Sequence, residues 1–481
     1  MARSVDQHAY VLLAQVIAVS LAAYLLTADW QTLSIEWISR LLLLHFIWAL
    51  WSWRKMAGTL FNPYVMFMIS CTLFNAGLGL VAGLSLNREP ILPDFPAETI
   101  ARSLLLVLAA LTGLHLGALF AAAQQPDRVG AQPESSPTGD LALRIVGWAL
   151  LAIAFVPWVN QLKDAITIGL SSGYLALYQR DAPAAGLGSA VNIAGDFLFP
   201  GFFFLIAGSK NRRFELRIAL LVLIPFFATV LFLGFRGGAT TPLAALAWLW
   251  DRTISRLPRK WLLAGAAVLL GVFPLVRETR DLSASERRAI SVGKTYGQLE
   301  EHPAVDAILE MGGSILPVAH MLELVPKYRP YDNGVGYFYA MLTVLPSLFW
   351  DRHPTVARGT ASAWLIETVD PDGAKIGTGL GFSFVAEAFM NFGLLGVPLF
   401  SLLLGYGVAW FWLWAERGRD RGRFVAVAIL IPYLLFLARA EFFLLPRSLV
   451  WYSLIPYAAY LYIRRVLRTR HAATPEPSAA G

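Results

Sequence analysis

The sequence has little charge and almost no cysteine. Only 15% of its 481 residues are charged, while 57% are hydrophobic, and the mean hydropathy is +0.57. A soluble chain carries about 25% charged residues, so this balance excludes an ordinary soluble protein and predicts surroundings that are largely lipid. The single cysteine, Cys71, lies in an apolar run and excludes a disulfide framework.

Motifs for nucleotides and zinc are also missing. The chain has no GxxxxGK[ST], no HExxH and no paired CxxC. The DPDG at 370–373 imitates the DxD of sugar-nucleotide enzymes, but Asp-Gly is an ordinary turn. Because no acidic cluster argues for a metal, we predict no metal and no other cofactor. The net charge of +7 comes from short basic loops between apolar runs, so we expect no nucleic-acid partner.

Long apolar runs dominate the sequence instead. A helix that spans a bilayer needs about 20 mostly apolar residues. The run at 9–26 has no convincing small-residue cleavage site, so we interpret it as a retained span. We predict an all-α polytopic membrane protein of about 12 transmembrane helices, within a range of about 10–14. The predicted spans are 9–27, 33–53, 60–83, 98–123, 142–160, 190–208, 216–235, 239–251 (short), 261–276, 380–414 (long enough to contain a break), 424–443 and 447–463.

The distribution of Lys and Arg predicts the orientation. With the N-terminus in the cytoplasm, five basic clusters fall on the cytoplasmic side, whereas the opposite loop at 87–98 is net acidic. Both termini are therefore predicted to be cytoplasmic. The five basic clusters are 53–58, 209–217, 251–260, 415–423 and 463–471.

This topology divides the chain into four parts. If two helices of the segment 277–379 also crossed the membrane, the chain would have 14 spans and the same orientation. The parts are 1–276, with about nine N-terminal transmembrane helices; 277–379, a large periplasmic loop with amphipathic or re-entrant helices; 380–463, with about three C-terminal transmembrane helices; and 464–481, a tail that is basic and then disordered.

A few charges lie at the outer ends of the spans. Arg236, in LFLGFRGG, follows the seventh apolar run, and Gly237 and Gly238 would let the backbone approach a ligand. A charge at mid-bilayer costs roughly 2.5–3.5 kcal/mol, so such residues usually face a cavity or a partner. An arginine at a span end also snorkels to the headgroups. The other outward charges are Arg277, Arg280, His353, Arg358, Arg439, Glu441 and Arg447.

Glu387 is the one carboxylate well inside an apolar run, in GFSFVAEAFMNFG. It is either functional or a structural partner of one of the arginines. Arginine suits phosphate because its planar fork donates two hydrogen bonds and keeps its charge. Several outward arginines with few acidic groups beside them favour a lipid-anchored pyrophosphate as ligand.

Five blocks of sequence carry a family resemblance. The chain resembles the O-antigen and exopolysaccharide repeat-unit polymerases of the Wzy type, which are related to the O-antigen ligases. The blocks are SSGYLALYQRD (171–181), FLGFRGG (232–238), LEMGGSILPVAHMLELVP (309–326) with GVGYFYAMLTVLP (334–346), GFSFVAEAFMNFGLLGVPLF (381–400) and ARAEFFLLPR (438–447).

The resemblance implies a periplasmic reaction at the bacterial inner membrane. A growing glycan on undecaprenyl diphosphate is transferred to the terminal sugar of a new lipid-linked repeat unit, without nucleotide sugar or ATP. It further implies a flippase and a Wzz-type chain-length regulator as partners. By position, Arg236 matches the arginine of the RGG block, and Arg439 and Arg447 match those of the last outer loop. Glu387 matches the acidic residue of the E-x-x-x-N-F-G block, while RAE replaces the expected Arg-Gly-acidic order at Glu441.

Site roles follow from the residues and the resemblance together. Preorganised arginines would stabilise the negative charge of the departing diphosphate. A sugar hydroxyl is a poor nucleophile and gains from a general base, for which we predict Glu387, with His353 in reserve. The predicted diphosphate- and glycan-binding residues are Arg236, Gly237, Gly238, Arg277, Arg280, Arg358, Arg439, Glu441 and Arg447.

Two other functions compete with a polymerase. An O-antigen ligase uses the same donor but transfers the glycan to lipid A-core. A lipid-glycan flippase or other transporter predicts polar residues along many spans and often internal repeats, and the sequence has no such repeat. A structural membrane component would leave the outer arginines unexplained.

Overall fold

A computed structural model gives the fold. It describes residues 34–265 and 303–473, apart from 88, 125–132, 134, 172–175, 177–186, 348, 349 and 351, together with a few isolated positions outside these ranges. Every element in the described residues is a helix. The predicted all-α class is therefore confirmed.

The helices of the N-terminal half match the apolar runs. Their ends carry residues that commonly begin or end helices. Gly58, with φ of 74°, ends the first helix, and the Asn62 side chain accepts a hydrogen bond from the Val65 N–H before Pro63 opens the second. These helices are α1 (Ile35–Ala57), α2 (Pro63–Gly83), α3 (Ala97–Ala123), α4 (Pro137–Ser171), α5 (Leu187–Gly195), α6 (Leu198–Gly208), α7 (Arg213–Phe232) and α8 (Arg236–Thr253).

The C-terminal half alternates short helices with long ones. The short helices fall within the predicted outer loop and near the last predicted span. The helices are α9 (Pro303–Gly312), α10 (Leu316–Leu324), α11 (Val335–Leu342), α12 (Pro354–Arg358), α13 (Ala361–Val369), α14 (Pro371–Lys375), α15 (Phe384–Gly418), α16 (Arg421–Leu437), α17 (Leu444–Arg447) and α18 (Ile455–Ala473), with a 3-10 turn at Gly313–Ile315 and a π-helical turn at Ser448–Leu454.

Seven helical segments of the described chain are long and apolar enough to cross a membrane. Six of them coincide with predicted spans. The seventh lies inside the predicted outer loop, where α9 and α10 follow each other closely. The predicted span at 190–208 is broken into α5 and α6, and those at 9–27 and 261–276 lie mostly outside the described residues. The segments are Ile35–Ala57, Pro63–Gly83, Ala97–Ala123, Pro137–Ser171, Arg213–Phe232, Ala304–Leu324 and Phe384–Gly418.

Helices α3 and α15 form the centre of the bundle. The apolar stretch of α3 is 94% buried, so other helices surround it on nearly all sides. A Cβ atom at Gly117 of α3 would overlap the carbonyl oxygen of Leu402, and one at Gly405 of α15 would overlap that of Leu114. Glycines thus allow the two backbones to touch, as small residues do between membrane helices.

Contacts at the end of α15 bring three of the five basic clusters together. Trp53, near the end of α1, packs on Trp412, with ring centroids 5.8 Å apart. The Arg252 guanidinium at the end of α8 pairs with Glu416, and both side chains are 4% exposed. The clusters at 53–58 and 251–260 therefore lie beside the cluster at 415–423.

The turn between α15 and α16 joins the other two clusters to the same end. Nη1 of Arg421 donates a hydrogen bond of 3.4 Å to the Ala207 carbonyl, just before the cluster at 209–217. Asp420 pairs with Arg464 of α18 at 3.3 Å. All five basic clusters thus lie at one end of the bundle, which agrees with a single cytoplasmic face.

Helix α15 is broken near its start, as the long predicted span at 380–414 suggested. Gly393 has φ of 67° and ψ of −159°, which interrupts the helical conformation. Only glycine adopts this conformation readily. The break leaves a short helical segment, 384–392, whose direction differs from that of the rest, and this segment carries Glu387.

Candidate functional site

A polar cavity lies at the end of the bundle opposite the basic clusters. Glu387 is in the first turn of α15 and lines the cavity, whereas Glu416 lies in the last turn of the same helix. The cavity volume is about 340 Å³, within the usual range for small-molecule sites. Charged residues line much of its wall. They are Arg329, Arg352, Arg358, Asp332, Glu367, Glu387 and Glu441.

Glu387 is held at the floor of the cavity by a backbone group. The Ser383 side chain caps α15 by accepting from the Val385 N–H, which fixes the first turn of the helix. Oε2 of Glu387 accepts a hydrogen bond of 2.6 Å from the Phe442 N–H. The side chain is buried, with 3% of the residue exposed, and it forms no ion pair with a described residue. The alternative of a structural salt bridge is therefore not seen among the described arginines.

Glu441 holds the neighbouring wall of the cavity. Its two carboxylate oxygens accept hydrogen bonds from the N–H groups of Ala361 and Ser362, at 3.0 and 2.9 Å. These groups begin α13, and a negative charge at a helix N-terminus is stabilised by the free N–H groups and the helix dipole. The carboxylate of the RAE block is thus engaged by backbone donors.

Asp332 pairs with two arginines of the cavity. Its Oδ1 accepts a hydrogen bond of 3.1 Å from Arg329, and its Oδ2 accepts a short one from Arg358. Arg329 also lies over the Trp364 ring, 4.6 Å from the centroid. Arg358 lies 5.0 Å over the Tyr339 ring. Both guanidinium groups are therefore held in place.

The loop that carries Asp332 is bonded to the broken start of α15. The N–H groups of Asp332 and Asn333 donate to the carbonyls of Met390 and Asn391, at 3.0 and 2.9 Å. The Gly334 N–H donates to the Asn391 side chain at 3.2 Å. Gly334 has φ of 87°, a left-handed conformation that favours glycine. These hydrogen bonds thus hold Asp332, which pairs with the arginines, in a fixed position relative to the helical segment that carries Glu387.

His353 lies beside the cavity but does not line it. Its Nδ1 caps α12 by accepting a hydrogen bond of 3.2 Å from the Thr355 N–H. Nε2 is buried and has no hydrogen-bond partner within the described part of the chain. The ring packs edge-on against Trp350 at 5.1 Å. The acceptor lone pair of Nδ1 is therefore engaged, and a neutral ring in this arrangement carries its proton on the buried Nε2.

Tyr337 packs next to Glu387. Its ring stacks on Phe400 at 4.5 Å and on Phe392 at 5.8 Å, so its faces are occupied by the protein. Burial, and then the negative charge of Glu387, raise the pKa of Tyr337. The phenol stays protonated, and its hydroxyl has no partner among the described residues.

Arg236 lies at the first residue of α8, outside the cavity. Its guanidinium makes two hydrogen bonds to the Glu310 carboxylate of α9, one of them 3.0 Å long. A Cβ at Gly237 would lie 2.9 Å from the Phe436 ring, and one at Gly238 would lie 3.3 Å from Val230. In this structure the two glycines therefore allow helices to pack closely.

Arg439 and Arg447 lie before and after Phe442, whose N–H donates to Glu387. Neither arginine lines the cavity. Arg439 is exposed, with its guanidinium 5.4 Å over the Phe74 ring. Arg447 donates a hydrogen bond of 3.3 Å to the Tyr452 hydroxyl, which in turn donates to Asp196 at 2.8 Å.

One expectation for the sequence-based site is wrong, and part of the predicted site lies outside the described residues. The expectation of few acidic groups beside the arginines is wrong for Arg236 and Arg358, because Glu310 and Asp332 pair with them. The predicted residues Arg277 and Arg280, and most of the block at 171–181, lie outside the described residues.

Sequence reasoning missed several residues of the cavity wall. Arg329 and Asp332 stand in RPYDNG, which by itself signals only a turn. Arg352 immediately precedes His353, so its position beside a predicted residue was the available signal. Glu367 lies on the exposed side of α13 and has no distinguishing local pattern.

Comparison with known families identifies the family of the chain. A family model described as O-antigen polysaccharide polymerase Wzy matches residues 11–471. The chain belongs to this family. The resemblance carried by the five blocks is thereby confirmed, and the Wzy family assigns the chain to the integral membrane transferases of polysaccharide biosynthesis. No curated protein and no solved structure matches the chain.

Proposed function

We propose that the chain polymerises repeat units linked to undecaprenyl diphosphate, on the periplasmic side of the bacterial inner membrane. The product is an O-antigen, capsule or exopolysaccharide. Membership of the Wzy family supports the reaction. The position of the cavity, opposite the five basic clusters, supports the side of the membrane, because basic loops stay in the cytoplasm. A flippase and a Wzz-type chain-length regulator are the proposed protein partners.

The proposed topology has about 12 spans, with both termini in the cytoplasm and 277–379 as a large periplasmic segment. The seven apolar helical segments support it, together with the helices that cover the other predicted spans within the described residues. In this arrangement the segment at 304–324 enters the membrane from the periplasmic side. It packs on α2, since Gly312 meets the backbone of Gly77 and Leu78.

Glu387 acts as the general base. A hydroxyl of the acceptor sugar attacks the anomeric carbon of the donor glycan, so a new carbon–oxygen bond forms there. The bond from that carbon to the diphosphate oxygen breaks, and its electron pair leaves with the lipid diphosphate. The hydroxyl proton passes to the Glu387 carboxylate and then to solvent. The supporting observation is that the buried carboxylate lines a polar cavity of about 340 Å³.

The arginines outside the cavity hold the leaving diphosphate. Arg236, Arg439 and Arg447 supply positive charge that lowers the barrier for its departure, and Arg277 and Arg280 join them. Arg236 must exchange Glu310 for phosphate oxygens, or share its five donors between them. Arg358 and Glu441, which line the cavity, hold the glycan, and His353 is the reserve base.

Deletion of the gene in its natural host tests the function. Loss of a polymerase leaves a single repeat unit attached to its acceptor, whereas loss of a ligase leaves no unit attached. We expect the single-unit product on a gel of surface glycans, and recovery of the full ladder with the wild-type gene but not with Glu387→Gln at equal membrane level. An unchanged ladder after deletion would overturn the proposal.

A further inference from the structure

The carboxylates of the cavity fall into two groups. Asp332 forms ion pairs with Arg329 and Arg358, so these three residues together keep a formal charge of +1. Glu441 accepts hydrogen bonds from the two N–H groups at the start of α13, which hold its carboxylate and leave its negative charge in place. The cavity lining as a whole, with three arginines and four carboxylates, therefore carries a formal net charge of −1.

The remaining carboxylates have no cationic partner in the described residues. Glu387, 3% exposed, uses Oε2 for the Phe442 N–H, and its other oxygen has no hydrogen-bond partner there. Glu367 is exposed on α13 and lines the mouth of the cavity. The third arginine, Arg352, is also exposed, and its one hydrogen bond is a 3.4 Å contact with the Val356 carbonyl.

This charge pattern discriminates between the two ends of a lipid-linked glycan. A diphosphate placed here would meet a lining of net negative charge, in which two carboxylates have no arginine partner among the described residues, and like charges at short distance repel strongly. Sugar hydroxyls fit the same groups, because each hydroxyl donates to a carboxylate and accepts from a guanidinium. The cavity, about 340 Å³ in volume, is large enough for a small-molecule ligand.

We propose that this cavity is the acceptor-sugar subsite, and that Glu367 and Arg352 bind hydroxyl groups of the terminal acceptor sugar at its mouth. The diphosphate stays outside, near Arg439 and Arg447. The acceptor enters as an uncharged oligosaccharide end and brings one hydroxyl to Glu387. This inference rests on the proposed function, and it adds two residues that select the acceptor.

A binding titration tests the subsite directly. The probe is the repeat-unit oligosaccharide of the host, released from its lipid by mild acid so that it carries no phosphate. The full-length protein is held in nanodiscs of phosphatidylethanolamine and phosphatidylglycerol, and saturation-transfer NMR reports binding. We expect Glu367→Gln and Arg352→Gln each to weaken binding about tenfold, because a hydrogen bond to a charged group contributes about that much affinity.

A matched control and a competitor complete the test. Asp372→Asn changes an exposed carboxylate of the adjacent helix α14, outside the cavity, and should bind like the wild type. A large excess of sodium pyrophosphate should not displace the oligosaccharide. Displacement by pyrophosphate, or wild-type binding by both Glu367→Gln and Arg352→Gln, would overturn the proposal. Both residues are exposed, so neither change threatens folding.

The subsite and the proposed function fail in different experiments. The titration measures sugar binding to the purified protein and needs no turnover. The gene deletion measures polymer length in cells and involves no variant of the cavity mouth. If polymer persists after deletion, the proposed function is wrong. If polymer is lost after deletion but pyrophosphate displaces the oligosaccharide, the function stands and only the acceptor subsite is wrong.

Discussion

The Glu387 carboxylate accepts a 2.6 Å hydrogen bond from the backbone N–H of Phe442. This bond joins the first turn of α15 to the turn that follows α16. The preceding residue, Glu441, uses its own carboxylate to hold the start of α13. Two adjacent residues of one turn therefore fix both the floor of the cavity and one of its walls.

Glu387→Gln should abolish most of the activity and preserve the fold. The amide oxygen can still accept from the Phe442 N–H, but the side chain can no longer take a proton from the acceptor. We expect the polymerisation rate to fall by about 100-fold or more. The measurement is polymer formed from lipid-linked repeat units by equal amounts of purified protein. A rate close to wild type would assign the base elsewhere, and His353→Gln is the next variant to compare.

Glu441→Ala should loosen the start of α13. The Ala361 and Ser362 N–H groups lose their acceptors, at a cost of about 1–3 kcal/mol for the buried donors. We expect their amide hydrogens to exchange with solvent at least about tenfold faster in hydrogen–deuterium exchange. Glu367→Ala, on the same helix but far from those donors, is the control and should leave their exchange unchanged. Equal exchange in both variants would contradict the anchoring role of Glu441.

The sequence was most informative where a charge was rare. In an apolar chain each charged residue inside a run is costly, so Glu387 stood out, and the structure places it in a cavity. Arg358 and Glu441 line the same cavity. Helices were predictable for a similar reason, since long apolar runs leave few alternatives in lipid. The break at Gly393 was suggested only by the excessive length of the run.

The acidic partners of the arginines could not be read from the sequence. Arg236 and Glu310 are 74 positions apart, and Arg358 and Asp332 are 26 apart. Such pairs depend on how helices pack, and local pattern carries no information about them. For this reason the sequence around Arg236 indicated a cation without an acidic partner. Its glycines are explained by packing against Phe436 and Val230.

A double-mutant cycle on Arg236 and Glu310 separates packing from substrate binding. If the arginine serves only the ion pair, replacing both residues by Gln should restore activity lost in the single variants. We expect no restoration, because the diphosphate contact is lost in every variant without Arg236. Arg236→Lys should also lose activity, because lysine lacks the planar fork. The rate of polymer formation, at matched membrane levels, is the measurement, and a fully active double variant would contradict diphosphate binding at Arg236.

Asp332→Asn should change acceptor binding more than the chemical step. The substitution removes the charge that holds Arg329 and Arg358 together, so the two guanidinium groups repel each other and move. We expect the KM for the acceptor to rise about tenfold, with a smaller change in kcat. Asp332→Glu should recover part of the loss, since it restores the charge. A change confined to kcat would show that Asp332 does not act through acceptor binding.

Gly405→Ala should destabilise the protein, while Gly407→Ala should not. Both glycines lie in α15. A Cβ at Gly405 would overlap the backbone of α3, whereas one at Gly407 meets nothing within 4 Å. Alanine favours a helix over glycine by about 1 kcal/mol, so Gly407→Ala should be neutral or stabilising. For Gly405→Ala we expect a lower melting temperature in detergent, because α3 and α15 must move apart at the centre of the bundle. The same melting temperature for both variants would show that the two backbones are not in contact.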